Sequence, residues 1–346
     1  MKTLSFRILL LLLLSWPLSS FAAQQNVRGD VNGNKRVDIE DVTTMISRLL
    51  SDNGKYIVEC DVNRDRKFNI SDVTELISYL LSGDWSTPDN LDPPYPDGTE
   101  IYTVNGVSFA MLPVEGGTFM MGYGDKALIY PGSHASHQVT LSSFKIGVTE
   151  VTQALWIAVM GNNPSPDQSD VDHLPVSNVS WHDCKTFIQR LNELTGEHFN
   201  FPTDAQWEFA ARGGNLSQGY LYAGSDDVDE VAWWPDEEAG LTWHPAMVGQ
   251  KKANELGLYD MSGNMSEWCY DDWDYWTVNS IDEEPLVDPV YERDNVINES
   301  MRHRVMRGGS RCDMSALELE YLTVYSRNYP FVYTVNNQYG LRLALW

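Results

Sequence analysis

A twelve-residue pattern occurs twice near the start of the chain. Asp30-Val-Asn32-Gly-Asn34-Lys-Arg36-Val-Asp38-Ile-Glu-Asp41 returns, 31 positions later, as Asp61-Val-Asn63-Arg-Asp65-Arg-Lys67-Phe-Asn69-Ile-Ser-Asp72. Asp or Asn stands at loop positions 1, 3, 5, 9 and 12 of both copies. No other feature restricts the backbone as tightly. Oxygen-bearing side chains at this spacing fold one short loop around a hard cation, and Ca²⁺, which takes six to eight oxygens, is the ion it suits. Position 7, Arg36 and Lys67, then gives a backbone carbonyl. Turns that only cap two helices are the plainer alternative, but the duplicated match favours metal. Each loop runs into an apolar helix, Val42, Met45, Ile46, Leu49 and Leu50 in one, Val73, Leu76, Ile77, Leu80 and Leu81 in the other. Their helical spacing predicts that the two helices pack on each other.

The paired loops, residues 28–82, resemble the type I dockerin repeat. That resemblance implies a small all-α module of EF-hand type with Ca²⁺ in both loops. It also implies a docking partner, either of cohesin type or on the module's own chain. One departure stands out: the glycine usual at position 6 is Lys35 in the first copy and Arg66 in the second. A cation there opposes the metal, and the position often needs a left-handed backbone, so affinity is expected to be weakened. Residues 83–100, with Pro88, Pro93, Pro94 and Pro96, read as a semi-stiff linker.

Residues 1–22 read as a secretory signal. Lys2 and Arg7 precede the apolar run Ile8–Leu14, and small residues lead to Ala22 and Ala23. The run is too short to span a membrane and no second one follows, so an exported chain (periplasmic, cell-surface or secreted) without a transmembrane segment is expected. With 49 acidic against 24 basic residues, the net charge of −25 repels phosphate backbones and argues against nucleic acid. Carboxylates in such excess either keep the protein soluble or serve cations.

From residue 101 to 346 the chain reads as one α+β domain. Gly116–Gly122 and Val139–Phe144 suggest strands. Thr152 caps a helix carrying Leu155, Trp156, Val159 and Met160 that stops at Gly161. Ser180 with Asp183 suggests a capping box for a helix whose stripe is Trp181, Cys184, Phe187, Ile188, Leu191 and Leu194, stopped at Gly196. Thr203 with Gln206 opens a third helix through Trp207, Ala210 and Ala211.

The runs Glu150–Ser165, Pro175–Asp183, Phe201–Gly214 and Asn254–Trp268, followed by Arg307-Gly-Gly-Ser310 and Gly340-Leu-Arg342, resemble the formylglycine-generating enzyme (sulfatase-modifying factor) superfamily through nearly all of 103–346. The resemblance implies an irregular C-type-lectin-like fold. Enzymes of this family oxidise a substrate cysteine with two cysteines that bind copper just after Gly-Gly-Ser. Here Cys312 is the only cysteine after that motif, and the position of the second falls on Glu318, or on Leu322 if the segment carries an insertion. One thiol does not reproduce the paired thiolates that hold Cu(I), so copper is not expected. Cys269 and Cys312 are either a disulfide or two buried small residues; four cysteines are too few for a disulfide scaffold.

The family also implies one Ca²⁺ held by the side chains of Asp260 and Glu267 and the carbonyls of Gly263 and Met265, against a plain turn in which Asp260 and Asn264 bond to backbone. A second family calcium site lacks its Asn at Val231-Ala-Trp233. His134 and His137 have zinc-like spacing but no third ligand.

Three functions stand open: a binding or accessory module for a protein or glycan ligand; an oxidase or diverged enzyme acting on exported sulfatases; and a retroelement-diversified, lectin-like binding protein. The last rests on the C-terminal mixture Tyr329, Phe331, Val332, Tyr333, Asn336, Asn337, Gln338 and Tyr339.

Overall fold

The computed structural model describes residues 29–32, 34, 36–51, 60, 62, 70–83, 95–124, 135–234, 244–273, 285–294, 298–310 and 318–346. The signal segment, Asp61, Asn63, Asp65, Lys67, Asn69, His134 and Cys312 lie outside them. The chain divides into two compact units, Met1–Leu91 and Asp92–Trp346.

In the first unit α1 (Ile39–Ser51) and α2 (Ile70–Ser82) follow the two loops. Val42, Met45, Val73 and Leu76 are buried together with Val31, Cys60 and Val62. The apolar stripe is wider than one partner helix covers, so the rest of it faces outward. Ile39 and Ile70 are both 65% exposed, and Leu50 and Leu81 are 78% and 84% exposed. The repeat is therefore kept outside as well as inside.

The second unit is built on an antiparallel sheet in the order β1-β2-β5-β11-β6. Its strands are β1 (Glu100–Val104), β2 (Val107–Val114), β5 (Phe144–Gly147), β6 (Phe199–Asn200) and β11 (Ala344–Leu345). Asn105 and Gly106, both left-handed, make the tight turn between β1 and β2. The last strand of the chain thus lies between β5 and β6, which closes the domain on itself. A small sheet joins β3 (Gly117–Met121), β4 (His137–Leu141) and β8 (Leu286–Val287). A third, with β7 (Ser266–Asp272) at its centre, joins β10 (Tyr339–Leu341) and β9 (Arg304–Arg307).

The helices begin and end where their caps predict. Thr152 Oγ1 accepts the Leu155 N–H at 3.3 Å before α3 (Gln153–Met160), and Gly161 ends it with φ +79°. Reciprocal capping boxes at Ser180/Asp183 and Thr203/Gln206 open α4 (Trp181–Thr195) and α5 (Asp204–Ala211). Leu194, expected in the buried stripe of α4, is half exposed, because it falls at the stripe's edge in the last turn. Two short helices, α6 (Val228–Val231) and α7 (Glu318–Tyr321), complete the set. Indoles tie the layers together: Trp181 Nε1 donates to the Cys269 carbonyl at 3.0 Å and Trp268 Nε1 to that of Val179 at 3.1 Å.

Candidate functional site

The first calcium-type loop is partly described. The Asn34 N–H points at both Asp30 Oδ1 and Asn32 Oδ1, each 3.0 Å away, so loop positions 1 and 3 turn their oxygens to one point. Asn34 Oδ1 in turn accepts the Arg36 N–H at 2.8 Å. Asp38 Oδ1 takes the Glu40 N–H at 2.9 Å and so opens α1. Asp41, fully buried, closes the loop: its oxygens accept N–H groups from Val31, Asn32 and Asp38 at 2.9, 3.1 and 2.9 Å. In the second copy Asp72 is likewise buried at the start of α2. Among the described residues no group of three or more His, Cys, Asp or Glu side chains is placed to hold a metal. The first loop draws instead on amide oxygens of Asn32 and Asn34 beside its carboxylates, a donor set of the hard kind Ca²⁺ takes.

In the large unit the family motifs meet in a buried charge network. Arg307 Nε bonds Asp204 Oδ1 at 2.5 Å and Arg327 Nε bonds Asp204 Oδ2 at 2.8 Å. Both guanidiniums also reach Glu208 Oε2, at 2.8 and 3.1 Å, while Arg212 and the Gly122 N–H hold Glu208 Oε1. Burial alone raises the Glu208 pKa, but Arg212, Arg307 and Arg327 more than offset it and hold the carboxyl well below its usual range. Next to this network Asp271 makes no ion pair among the described residues. Burial, then the Asp204 charge, pushes its pKa up to about 7, against backbone N–H bonds from Tyr291 and Asp204.

The second cluster contains the expected calcium residues. Glu267 accepts from Arg342 Nη2 at 2.7 Å and from Trp207 Nε1 at 2.6 Å. Arg342 also spans to the carbonyls of Gly147 and Tyr259. Asp260 is left-handed, with φ +56°, and takes the Gly249 N–H at 2.6 Å. Asn264 clasps the Ala246 backbone through both its amide atoms, at 2.8 and 3.2 Å. Gly263 and Met265 sit on this turn, where the Met265 N–H meets Glu150 at 3.3 Å. A cation joining Asp260 to Glu267 would share Glu267 with a guanidinium. Glu150, which sequence reasoning did not single out for a role, belongs to the same cluster. Burial and then the neighbouring Asp260 raise its pKa.

Around Gly308 and Gly309 the backbone is left-handed twice in succession. A side chain at Gly309 would stand 2.9 Å from both Leu322 Cδ2 and the Tyr321 carbonyl. A small recess, about the size that holds one water, lies here, lined by Ser266, Gly308, Gly309, Tyr321, Ser326 and Asn328 among others. Leu322 is a buried residue packed with Tyr222, Val231 and Ala232. Cys184 and Cys269 are fully buried in the two main cores, and burial raises both thiols well above their usual pKa.

The comparisons with known proteins agree with this architecture. Residues 104–345 match the sulfatase-modifying factor enzyme 1-like domain, and the chain belongs to that family. Residues 28–81 match the dockerin type I domain. The chaperone protein LppX of Paenibacillus barcinonensis is 37% identical over 48% of this chain and 72% of its own length. A formylglycine-generating enzyme of Streptomyces coelicolor is 31% identical over 45% of this chain; the match spans 49% of that relative. The solved structure of Treponema denticola variable protein 1 superposes with a TM-score of 0.60 at 26% identity, covering 72% of this chain and 99% of that one. The expected α+β, C-type-lectin-like fold is thus the observed one. No helix among the described residues is long and apolar enough to cross a membrane.

Proposed function

We propose that this is an exported, calcium-dependent docking and binding protein whose large domain keeps the family frame but not its oxidase chemistry. One observation carries the reading. The frame is complete in Arg307, Arg327, Glu267 and Arg342, yet Cys312 is the last cysteine of the chain. Cysteine oxidation through Cu(I) needs a pair of thiolates at that place. Incubating the purified protein with a Cys-containing sulfatase peptide, copper and oxygen tests it: no aldehyde is expected by mass spectrometry, and its appearance sinks the reading. Stoichiometric copper binding dependent on Cys312 would revive the oxidase.

The name of the relative LppX, a chaperone protein, supports an accessory role. The first unit supports docking. Its outward Ile39, Ile46 and Leu50 recur as Ile70, Ile77 and Leu81, which offers a cohesin-type partner the same apolar set on either helix. A second reading, a ligand-binding protein diversified by a retroelement at its C-terminal stretch, is favoured by the likeness to Treponema denticola variable protein 1. A neighbouring reverse transcriptase gene with a near-duplicate template of residues 311–346 is its requirement.

A further inference from the structure

The C-terminal stretch carries a feature that composition alone does not reveal. Val332 is completely buried, and its neighbours Phe331 and Tyr333 are 44% and 53% exposed. Phe331, Tyr333 and Val335, preceded by half-buried Tyr329, therefore reach the surface at every second position of a short stripe of chain. Each of the three rings rests on a second planar side chain from elsewhere in the domain. Tyr329 stacks on Trp273 with centroids 3.8 Å apart, Phe331 lies over His303 at 4.0 Å, and Tyr333 stacks on His182 at 4.3 Å. Interplanar angles of 14°, 35° and 22° mean that one face of each ring is covered from behind. Covered on that side, Phe331 and Tyr333 still keep about half of their surface in solvent.

The surroundings restrict what such rings would hold. Behind the stripe Arg302 pairs with Asp272 at 2.6 Å and Glu299 at 3.5 Å, and Arg304 pairs with Glu292 at 3.5 Å. The local charge is nearly balanced, while the chain as a whole carries −25. Sulfated, phosphorylated or otherwise anionic partners are disfavoured. A protein partner is best gripped by aromatic anchors that insert into pockets, whereas each of these rings is backed on one face by a second ring that holds it in place. Flat, preorganised aromatic faces suit the C–H face of a sugar ring. The half-exposed carboxylates of Glu292 and Glu299 and the Tyr333 hydroxyl supply partners for sugar hydroxyls.

We infer that the stripe Tyr329–Phe331–Tyr333 binds a neutral glycan chain. This rests on the reading of the large domain as a binding module and names its ligand class. The test is affinity electrophoresis of the mature chain in gels carrying hydroxyethylcellulose, xyloglucan, galactomannan or mixed-linkage glucan. Retardation is expected in at least one gel. Phe331→Ala and Tyr333→Ala are each expected to weaken it about tenfold, with Met120→Ala, on the outer face of β3, unchanged. Leucine at either ring position removes the flat face but keeps apolar bulk, and a melting curve for each variant separates lost binding from lost folding. Unaltered mobility of the wild type in every gel, the result a protein-binding stripe would give, overturns the inference. So does equal retardation of folded ring variants. The peptide-oxidation assay on the same preparation reports separately on the underlying reading, since aldehyde formation sinks that reading whatever the gels show.

Discussion

The two units bury carboxylates by different means. In the first, Asp41 is buried on backbone N–H groups, with Asp30, Asn32 and Asn34 turned into the same loop. In the second, Asp204, Glu208 and Glu267 are buried on guanidiniums of Arg307, Arg327 and Arg342. A loop that converges oxygens without a cation leaves like dipoles and charges facing one another, so its folding is expected to depend on metal. A network that brings its own cations is closed within the chain. The acidity of the protein therefore has two structural uses, one answered within a short loop and one by arginines from distant parts of the chain.

Chelation is the sharpest way to break this comparison. EDTA is expected to abolish the melting transition of the first unit, or lower it by more than 20 °C, on the order of the several kcal/mol a bound metal supplies. The transition of the large domain should move far less, as followed by calorimetry. Two Ca²⁺ per chain are expected in titration; a third tight site would bring Asp260 and Glu267 into the metal-dependent set.

The arginine network predicts the next largest effect. Glu208→Ala leaves Arg307 and Arg327 short of a partner in the core and should cost about 3–5 kcal/mol in denaturant unfolding of the large domain. Calcium should not restore it.

Asp271 sharpens the contrast through pH. Its folded pKa, about 7, lies above the ordinary carboxylate value of 3.8, so the native state binds this proton more tightly than the unfolded chain. The stability it contributes is full below the unfolded value and is lost as pH rises toward the folded one, roughly 4 kcal/mol in all. Asp271→Asn should flatten the fall in stability between pH 5 and 7; an unchanged slope would assign the dependence to another group. The smallest effect is expected at the cap of α3, where Thr152→Ala should cost about 1 kcal/mol.

How much of this was legible in the sequence varies with the range of the interaction. Helix starts and stops at Thr152, Ser180, Thr203, Gly161 and Gly196 depend on residues within four positions, and they fall where the pattern puts them. The stripe of α4 was legible except at Leu194, where the helix runs past the core that would cover it. The turn of the first loop was legible too, since Asp30, Asn32 and Asn34 are neighbours in sequence. The arginine network was not. Arg307 and Arg342 stood out only as motif letters, and the partners of Arg307, Arg327 and Arg342, namely Asp204, Glu208 and Glu267, lie 103, 119 and 75 positions away. No periodicity connects them. Glu150 was missed for the same reason: only the turn through Asn264 and Met265 brings it beside Asp260.

By itself, then, the sequence determined the duplicated loop, the family frame and the solitary thiol at Cys312, because each is a pattern of residue types at fixed local spacing. Tertiary structure decided which apolar residues of α1 and α2 stay outside, and which carboxylates are answered by arginine. It also decided that Tyr329 and Tyr333 stack on Trp273 and His182 and that Phe331 leans on His303. Those outcomes depend on which distant surfaces meet, and contact between surfaces far apart along the chain is fixed only when the whole core closes.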